Sequence, residues 1–152
     1  MLTRRSLLAF AALTPAAALL APTAMAATPE TFAEGGLAIR GTDPVAYFDG
    51  NGPVAGSPDH QLMWKGATWQ FASAANRAAF EANPMAYAPQ YGGYCAFAMS
   101  RGYIASTDPE AWTLHDGKLY LNYSVSVRSR WLPDIAENIA LADANWPAAL
   151  DA

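Results

Sequence analysis

The sequence is poor in the residues from which disulfides and zinc sites are built. It contains one cysteine, Cys95, and two histidines, His60 and His115. A single cysteine excludes a disulfide within the chain, so in an oxidising compartment the thiol must be buried, metal-bound, reactive or paired with another chain. The cysteine and the histidines also lack the spacing of a structural or catalytic zinc site. The composition therefore argues against a disulfide scaffold and against a zinc protein.

Basic residues are scarce, and they form no run. If Arg4 and Arg5 are removed with the leader described next, seven basic residues stand against thirteen acidic ones. Binding of nucleic acid depends on neutralising phosphate charges. We therefore expect no nucleic-acid partner.

Long apolar runs are missing as well. The apolar run over 7–20 is interrupted by Pro15 and is shorter than the ~20 residues that a membrane-spanning helix needs. It follows the pair Arg4-Arg5, which is a twin-arginine start, and precedes Ala-Met-Ala at 24–26, small residues of the kind that signal peptidase cleaves after. Residues 1–26 are therefore predicted to be a twin-arginine-like signal peptide. We expect a bacterial periplasmic protein that has no membrane anchor after cleavage.

The rest of the chain alternates short strand patterns with short helix patterns. Residues 27–36 are polar and end in glycines, which predicts a flexible lead-in to one domain over 37–152. Two β-hairpins are predicted, with turns at Lys65-Gly66-Ala67 and at Asp116-Gly117. Ser73 and Ser124 follow these hairpins and are expected to cap helices. The sequence thus predicts a small α+β domain in which two hairpins are packed by short helices. The predicted helices cover 44–48 with Asp43 as cap, 74–82, 84–87, 94–100, 125–131 and 133–144.

The stretch from Tyr91 to Met99 has the residues most suggestive of chemistry. A helix over 94–100 would place Cys95 and Met99 one turn apart on one face. A thiolate and a thioether are soft donors that suit Cu(I), and Met85, Met63, His60 or His115 could complete the set if the fold brings one of them close. The sequence therefore predicts a soft-metal site, for Cu(I) above all, at Cys95, Met99 and His115.

Two other interpretations of Cys95 stay open. Free cysteine behaves as a small hydrophobe, so Cys95 is equally a candidate core residue of a structural or small-ligand-binding module. A lower alternative is a thiol-dependent enzyme with Cys95 as nucleophile and His115 as its base. We expect a protein that is not an enzyme. The candidates to line a ligand pocket are the aromatic residues Trp64, Trp69, Tyr87, Tyr91, Tyr94, Trp112 and Tyr120.

Several spaced motifs resemble the YHS domain. They are Gly41-x-Asp43-Pro44-Val45, Trp64-x-Gly66-x-x-Trp69-x-Phe71-x-Ser73 and Phe80-x-x-Asn83-Pro84-x-x-Tyr87. With Tyr91-Gly92-Gly93-Tyr94-Cys95-Ala96 and Gly117-Lys118-Leu119-Tyr120-Leu121-Asn122, the chain is similar to exported single-domain YHS proteins of bacteria. The resemblance implies a compact α+β fold and, in members that carry cysteines, a heavy-metal role.

The chain departs from the YHS pattern at its metal positions. The pattern has cysteines after Asp-Pro-Val and around Phe-x-Ser, where this chain has Ala46 and Ala72. Alanine cannot ligate a metal, so the resemblance supplies no metal site here. The single thiol lies later, at Cys95.

Overall fold

The structure is a computed structural model that describes Ala21 and residues 26–152. Apart from Ala21 and Ala26, the predicted signal peptide over 1–26 therefore lies outside the described residues. In the part of the chain that is described, no helix is long and apolar enough to cross a bilayer.

A four-stranded sheet forms the first half of the domain. Its strands are β1 (Ala33–Glu34), β2 (Leu37–Ala38), β3 (Ser57–Trp64) and β4 (Ala67–Phe71), in the order β1-β2-β4-β3. The antiparallel pair β3 and β4 is the first predicted hairpin, and its turn consists of Lys65-Gly66. Both turn residues have positive φ, as a type I′ turn requires.

A separate two-stranded hairpin forms the centre of the second half. It consists of β5 (Asp108–His115) and β6 (Lys118–Asn122), joined by Asp116-Gly117 as predicted. These two turn residues also have positive φ. The two hairpins therefore turn in the same way.

Short helices follow the strands and complete the fold. Ser73 Oγ accepts a hydrogen bond from Asn76 N, and Ser124 Oγ accepts one from Val127 N, so both predicted caps are present. Strands and helices together confirm the predicted α+β fold. The α-helices are α1 (Ala74–Ala82), α2 (Pro84–Tyr87), α3 (Ala96–Ser100), α4 (Val125–Trp131) and α5 (Ile135–Asn145), and short 3₁₀ helices cover Ile39–Gly41, Ala46–Asp49, Gln90–Gly93, Leu132–Asp134 and Ala148–Asp151.

Strand β6 is shared between two hydrophobic clusters. Leu119 and Leu121 belong to the cluster that contains Trp69 and Phe80. Tyr120, which points to the other side of the strand, belongs to the cluster that contains Trp131. Because side chains alternate along a strand, β6 contributes to both clusters and so links the two halves of the domain.

The segment predicted to be a flexible lead-in, 27–36, contacts the domain from Pro29 onward. Tyr94 Oη donates to the Pro29 carbonyl at 2.7 Å, and Thr31 Oγ1 donates to the Lys65 carbonyl at 3.0 Å. Phe32 N donates to the Gly92 carbonyl at 2.8 Å. The polar composition of the segment did not reveal these contacts, because its partners lie far along the chain.

The two halves repeat one local backbone pattern. Residues 39–41 and 91–93 each have positive φ throughout, and each run precedes a short helix, a hairpin and a serine-capped helix. Thr42 N donates to the Ile39 carbonyl, and Tyr94 N donates to the Tyr91 carbonyl, both at 3.0 Å. In this repeat Cys95 stands where the first half has Asp43.

Candidate functional site

Cys95 is the residue that caps helix α3, and its sulfur is almost fully enclosed. The residue is 1% exposed. Its Sγ accepts from Ala98 N at 3.5 Å and from Tyr123 N at 3.2 Å, and lies 3.5 Å from Asn122 Oδ1. The helix that was predicted to include Tyr94 and Cys95 begins only at Ala96. The Cys95 side chain therefore folds over the helix end, where its thiol is held by three protein groups.

Asp43 has the same place in the first half of the chain. The residue is fully buried, and its Oδ1 accepts from Val45 N at 2.8 Å and from Ala46 N at 3.3 Å. Its Oδ2 accepts from Ala72 N at 2.8 Å and from Asn76 Nδ2 at 2.7 Å. One carboxylate thus joins the start of a short helix to the end of the first hairpin.

Cys95 and Asn122 together accept the backbone hydrogen bonds that correspond to those accepted by the Asp43 carboxylate. Phe97 N, the counterpart of Val45 N, donates to Asn122 Oδ1 at 3.1 Å. The N–H groups of Ala98 and Tyr123, the counterparts of Ala46 and Ala72, both donate to Cys95 Sγ. This correspondence gives Cys95 a structural role that does not depend on a metal.

The two positions at which the YHS pattern has cysteines lie beside Asp43. The backbone N–H groups of Ala46 and Ala72 bind different oxygens of the one carboxylate. The fold therefore brings these positions together, although neither side chain can ligate a metal.

The structure separates His115 from Cys95 and keeps Met99 one helical turn away, where Met99 N donates to the Cys95 carbonyl at 2.9 Å. Met99 is fully buried in the second hydrophobic cluster. His115 pairs with Lys118 at the turn of the second hairpin, while Cys95 contacts Asn122 at the far end of β6. Four residues of strand correspond to roughly 13 Å, so His115 is far from the Cys95 sulfur both as a ligand and as a base. Within residues 26–152 no group of three or more His, Cys, Asp and Glu side chains is arranged to hold a metal ion.

A cavity of about 370 Å³ is lined by Tyr91 and Gly92, among other residues. It forms where the tips of both hairpins meet the lead-in and the end of α5, and its size is typical of small-molecule sites. Trp64 and Trp69 line it with ring centroids 5.6 Å apart, and Tyr91 and Trp146 line it with centroids 6.3 Å apart. Aromatic rings therefore form part of the cavity wall, beside charged and polar side chains.

The sequence identified some of these rings. Trp64, Trp69 and Tyr91 were candidates to line a pocket, whereas Trp146 was missed. The remaining candidates have partners elsewhere: Tyr87 packs against Phe48, Trp112 against Tyr47, Tyr94 against Phe32 and Tyr120 against Trp131.

The backbone beside the cavity is in an unusual conformation. Tyr91 has φ 58°, a left-handed value that non-glycine residues seldom adopt. Its hydroxyl donates to Asp143 Oδ1 at 2.9 Å, and burial together with Asp143 raises the pKa of Tyr91 far above its usual range. At Gly92 a Cβ atom would overlap the Glu30 carbonyl oxygen. Such strain persists only where surrounding contacts enforce it, and it is frequent at binding sites.

The chain has two lysines, Lys65 and Lys118, and both line this cavity. Their scarcity was visible in the sequence, but the search for motifs did not single them out. Lys65 Nζ lies 2.6 Å from Glu30 Oε1 and 5.0 Å from the centroid of the Trp64 ring, so its charge is paired. Among the described residues, Lys118 Nζ has no ion pair or hydrogen bond. Asp143 is likewise without an ion pair in that part of the chain.

Comparisons with protein-family models, with curated proteins and with solved structures gave no match for this chain. The YHS resemblance stays a prediction from the motifs.

Proposed function

We propose that the mature chain is an exported, non-enzymatic binding module that holds a small ligand in the aromatic cavity beside Tyr91. The observation that carries the proposal is the cavity itself, a space large enough for a small molecule that four aromatic residues help to line. The predicted signal peptide supports a periplasmic location, and the motifs support a YHS-like scaffold.

The surroundings of Cys95 favour this function over soft-metal handling. Cu(I) binding at the sulfur would replace the thiol proton, which now points to Asn122 Oδ1, and would require access to an almost fully enclosed atom. Recruiting Met99 as a second ligand would require the metal ion to enter the apolar cluster that encloses the Met99 side chain. Small-ligand binding requires neither change.

The thiol-enzyme alternative has less support for a related reason. A nucleophilic thiol needs a base within hydrogen-bond reach and a path for the substrate. Cys95 is enclosed, and His115 lies at the other end of β6. The side chain that contacts the Cys95 thiol is the amide of Asn122, which is not a base.

Titration of the mature protein with N-phenyl-1-naphthylamine, a neutral apolar dye that fluoresces when enclosed, tests the proposal. We expect saturable binding that Trp146→Ala weakens about tenfold, because the variant removes one wall of the cavity. Tyr103→Ala is the matched control, since Tyr103 is exposed and does not line the cavity. Absence of saturable binding, or equal loss in both variants, would contradict the proposal.

A second titration distinguishes the copper prediction. Reduced wild-type protein and Cys95→Ser compete anaerobically with a Cu(I) chelator. We expect the two proteins to retain Cu(I) equally weakly and to bind the dye equally well. Stronger retention by the wild type, together with absent dye binding, would favour soft-metal handling instead.

A further inference from the structure

We propose that the ligand of this cavity is a small zwitterion with an apolar ring, whose carboxylate binds Lys118 and whose ammonium group binds Asp143. The inference rests on the proposed function and names the class of ligand. An aromatic α-amino acid has this chemistry.

The charges that line the cavity divide into a paired set and an unpaired set. Lys65 and Glu30 neutralise one another at 2.6 Å. Lys118 and Asp143 line the same cavity, yet they form no ion pair with each other or with any other described residue. One positive and one negative charge are therefore available to a ligand.

Asp143 is positioned by Tyr91. The Tyr91 hydroxyl donates to Oδ1, which leaves the acceptor capacity of Oδ2 for another donor. The Tyr91 ring is itself held between Tyr120 and Trp146, with centroid separations of 6.0 and 6.3 Å. Because Tyr91 has to adopt a left-handed backbone conformation to reach this place, packing holds the hydroxyl, and with it the carboxylate, in a fixed position.

The aromatic residues that line the cavity suit an apolar ring of the ligand. The partly exposed rings of Trp64 and Trp146 present aromatic surface, and apolar rings pack on such surface with a gain beyond simple area burial. An ammonium group beside aromatic faces is also stabilised by their quadrupoles.

A ligand with a single charge would fit less well than a zwitterion. An anion at Lys118 would leave Asp143 beside it without a partner, and a cation at Asp143 would do the same to Lys118. Lys118 and Asp143 are both exposed to solvent, so a singly charged ligand gains one charge-assisted hydrogen bond there, whereas a ligand with both charges gains two.

Three compounds with one indole side-chain skeleton test the assignment. Tryptophan has both charges, tryptamine lacks the carboxylate, and indole-3-propionate lacks the ammonium group. In ¹⁵N-detected chemical-shift titrations of the mature protein, we expect tryptophan to bind about tenfold more tightly than either of the others.

Variants assign each charge. Lys118→Met keeps the aliphatic stem, and we expect it to abolish the preference for tryptophan over tryptamine. Asp143→Asn keeps an oxygen that accepts from Tyr91, and we expect it to abolish the preference over indole-3-propionate. Arg130→Met removes an exposed cation that does not line the cavity, so it should leave the order of affinities unchanged.

The outcomes separate the two proposals. If all three indoles bind alike, or if one singly charged compound binds most tightly, the zwitterion assignment is wrong while the cavity is still a binding site. If the indoles do not bind but N-phenyl-1-naphthylamine does, the assignment is again wrong. If neither the indoles nor the dye binds, the proposed function itself fails.

Discussion

At the scale of single residues, Cys95 and Asp43 both accept backbone hydrogen bonds from the start of a short helix and from the end of a hairpin, but their side chains are acceptors of different strength. Hydrogen bonds to a charged group contribute about 1.5–3 kcal/mol each, whereas sulfur is a weak acceptor. The thiol also needs Asn122 to accept the Phe97 N–H, and this leaves the buried Asn122 Nδ2 without a hydrogen-bond partner among the described residues. The buried polar groups around Cys95 are thus less completely hydrogen-bonded than those around Asp43.

We expect Cys95→Ala to lower the free energy of unfolding by about 1–3 kcal/mol, because the Ala98 and Tyr123 N–H groups lose their acceptor. Cys95→Asp should lose less. Its carboxylate can accept from Phe97 N as Asp43 does from Val45 N, and a turned Asn122 amide can then donate Nδ2–H to it. Urea unfolding of the three mature proteins measures both values. A Cys95→Asp variant less stable than Cys95→Ala would contradict the correspondence.

At the scale of elements, local signals predicted most of the fold. The turn Asp116-Gly117 and the caps Ser73 and Ser124 act within a few residues, so their structural consequences can be read from the sequence. The repeat of the two halves was not visible, because matched positions carry different residues, such as Trp69 and Tyr120.

The site depended on contacts that no local pattern encodes. The distance between Cys95 and His115 follows from the register of β6, and the cavity follows from the meeting of two hairpin tips with the lead-in. Spacing along a predicted helix suggested that Cys95 and Met99 share a face. The start of α3 at Ala96 makes Cys95 the cap of that helix, and Met99 N donates to the Cys95 carbonyl one turn away.

The contact between the lead-in and the Tyr91-Gly92 stretch is one of these long-range contacts. We expect Gly92→Ala to destabilise the domain by about 2–4 kcal/mol, because its Cβ would overlap the Glu30 carbonyl in addition to the strain of a positive φ. Faster amide exchange over 29–34 should accompany this loss.

Gly35→Ala is the matched control for that change. Gly35 also has positive φ, at 59°, but a Cβ there would meet nothing within 4 Å. We expect a loss of about 1 kcal/mol, the conformational part alone. Equal losses in the two variants would show that the contact with Glu30 does not anchor the lead-in.

At the scale of the whole molecule, tyrosine hydroxyls tie distant segments together. Tyr47 Oη donates to the Pro109 carbonyl at 2.9 Å and joins the first cluster to the second hairpin. Tyr94 binds the lead-in through Pro29, and Tyr91 binds α5 through Asp143. Burial raises the pKa of all three hydroxyls and of Tyr120, with nearby carboxylates adding to the shift at Tyr47, Tyr91 and Tyr120.

These raised pKa values predict unfolding in alkali. Tyrosines of the unfolded chain lose their protons near pH 10, while the buried ones keep them, so above about pH 10 the unfolded state binds fewer protons than the folded state. The free energy of unfolding should therefore be insensitive to these groups below about pH 9 and fall as the pH rises beyond 10. Urea titrations across this range, with tyrosinate absorbance followed in parallel, measure how steeply the free energy of unfolding falls with pH.

Tyr91→Phe should make this decline shallower, because one buried hydroxyl no longer contributes. Tyr103→Phe, which changes an exposed tyrosine, should leave the decline unchanged. A decline of the same steepness in both variants would mean that the hydrogen bond from Tyr91 to Asp143 does not couple the candidate site to the stability of the fold.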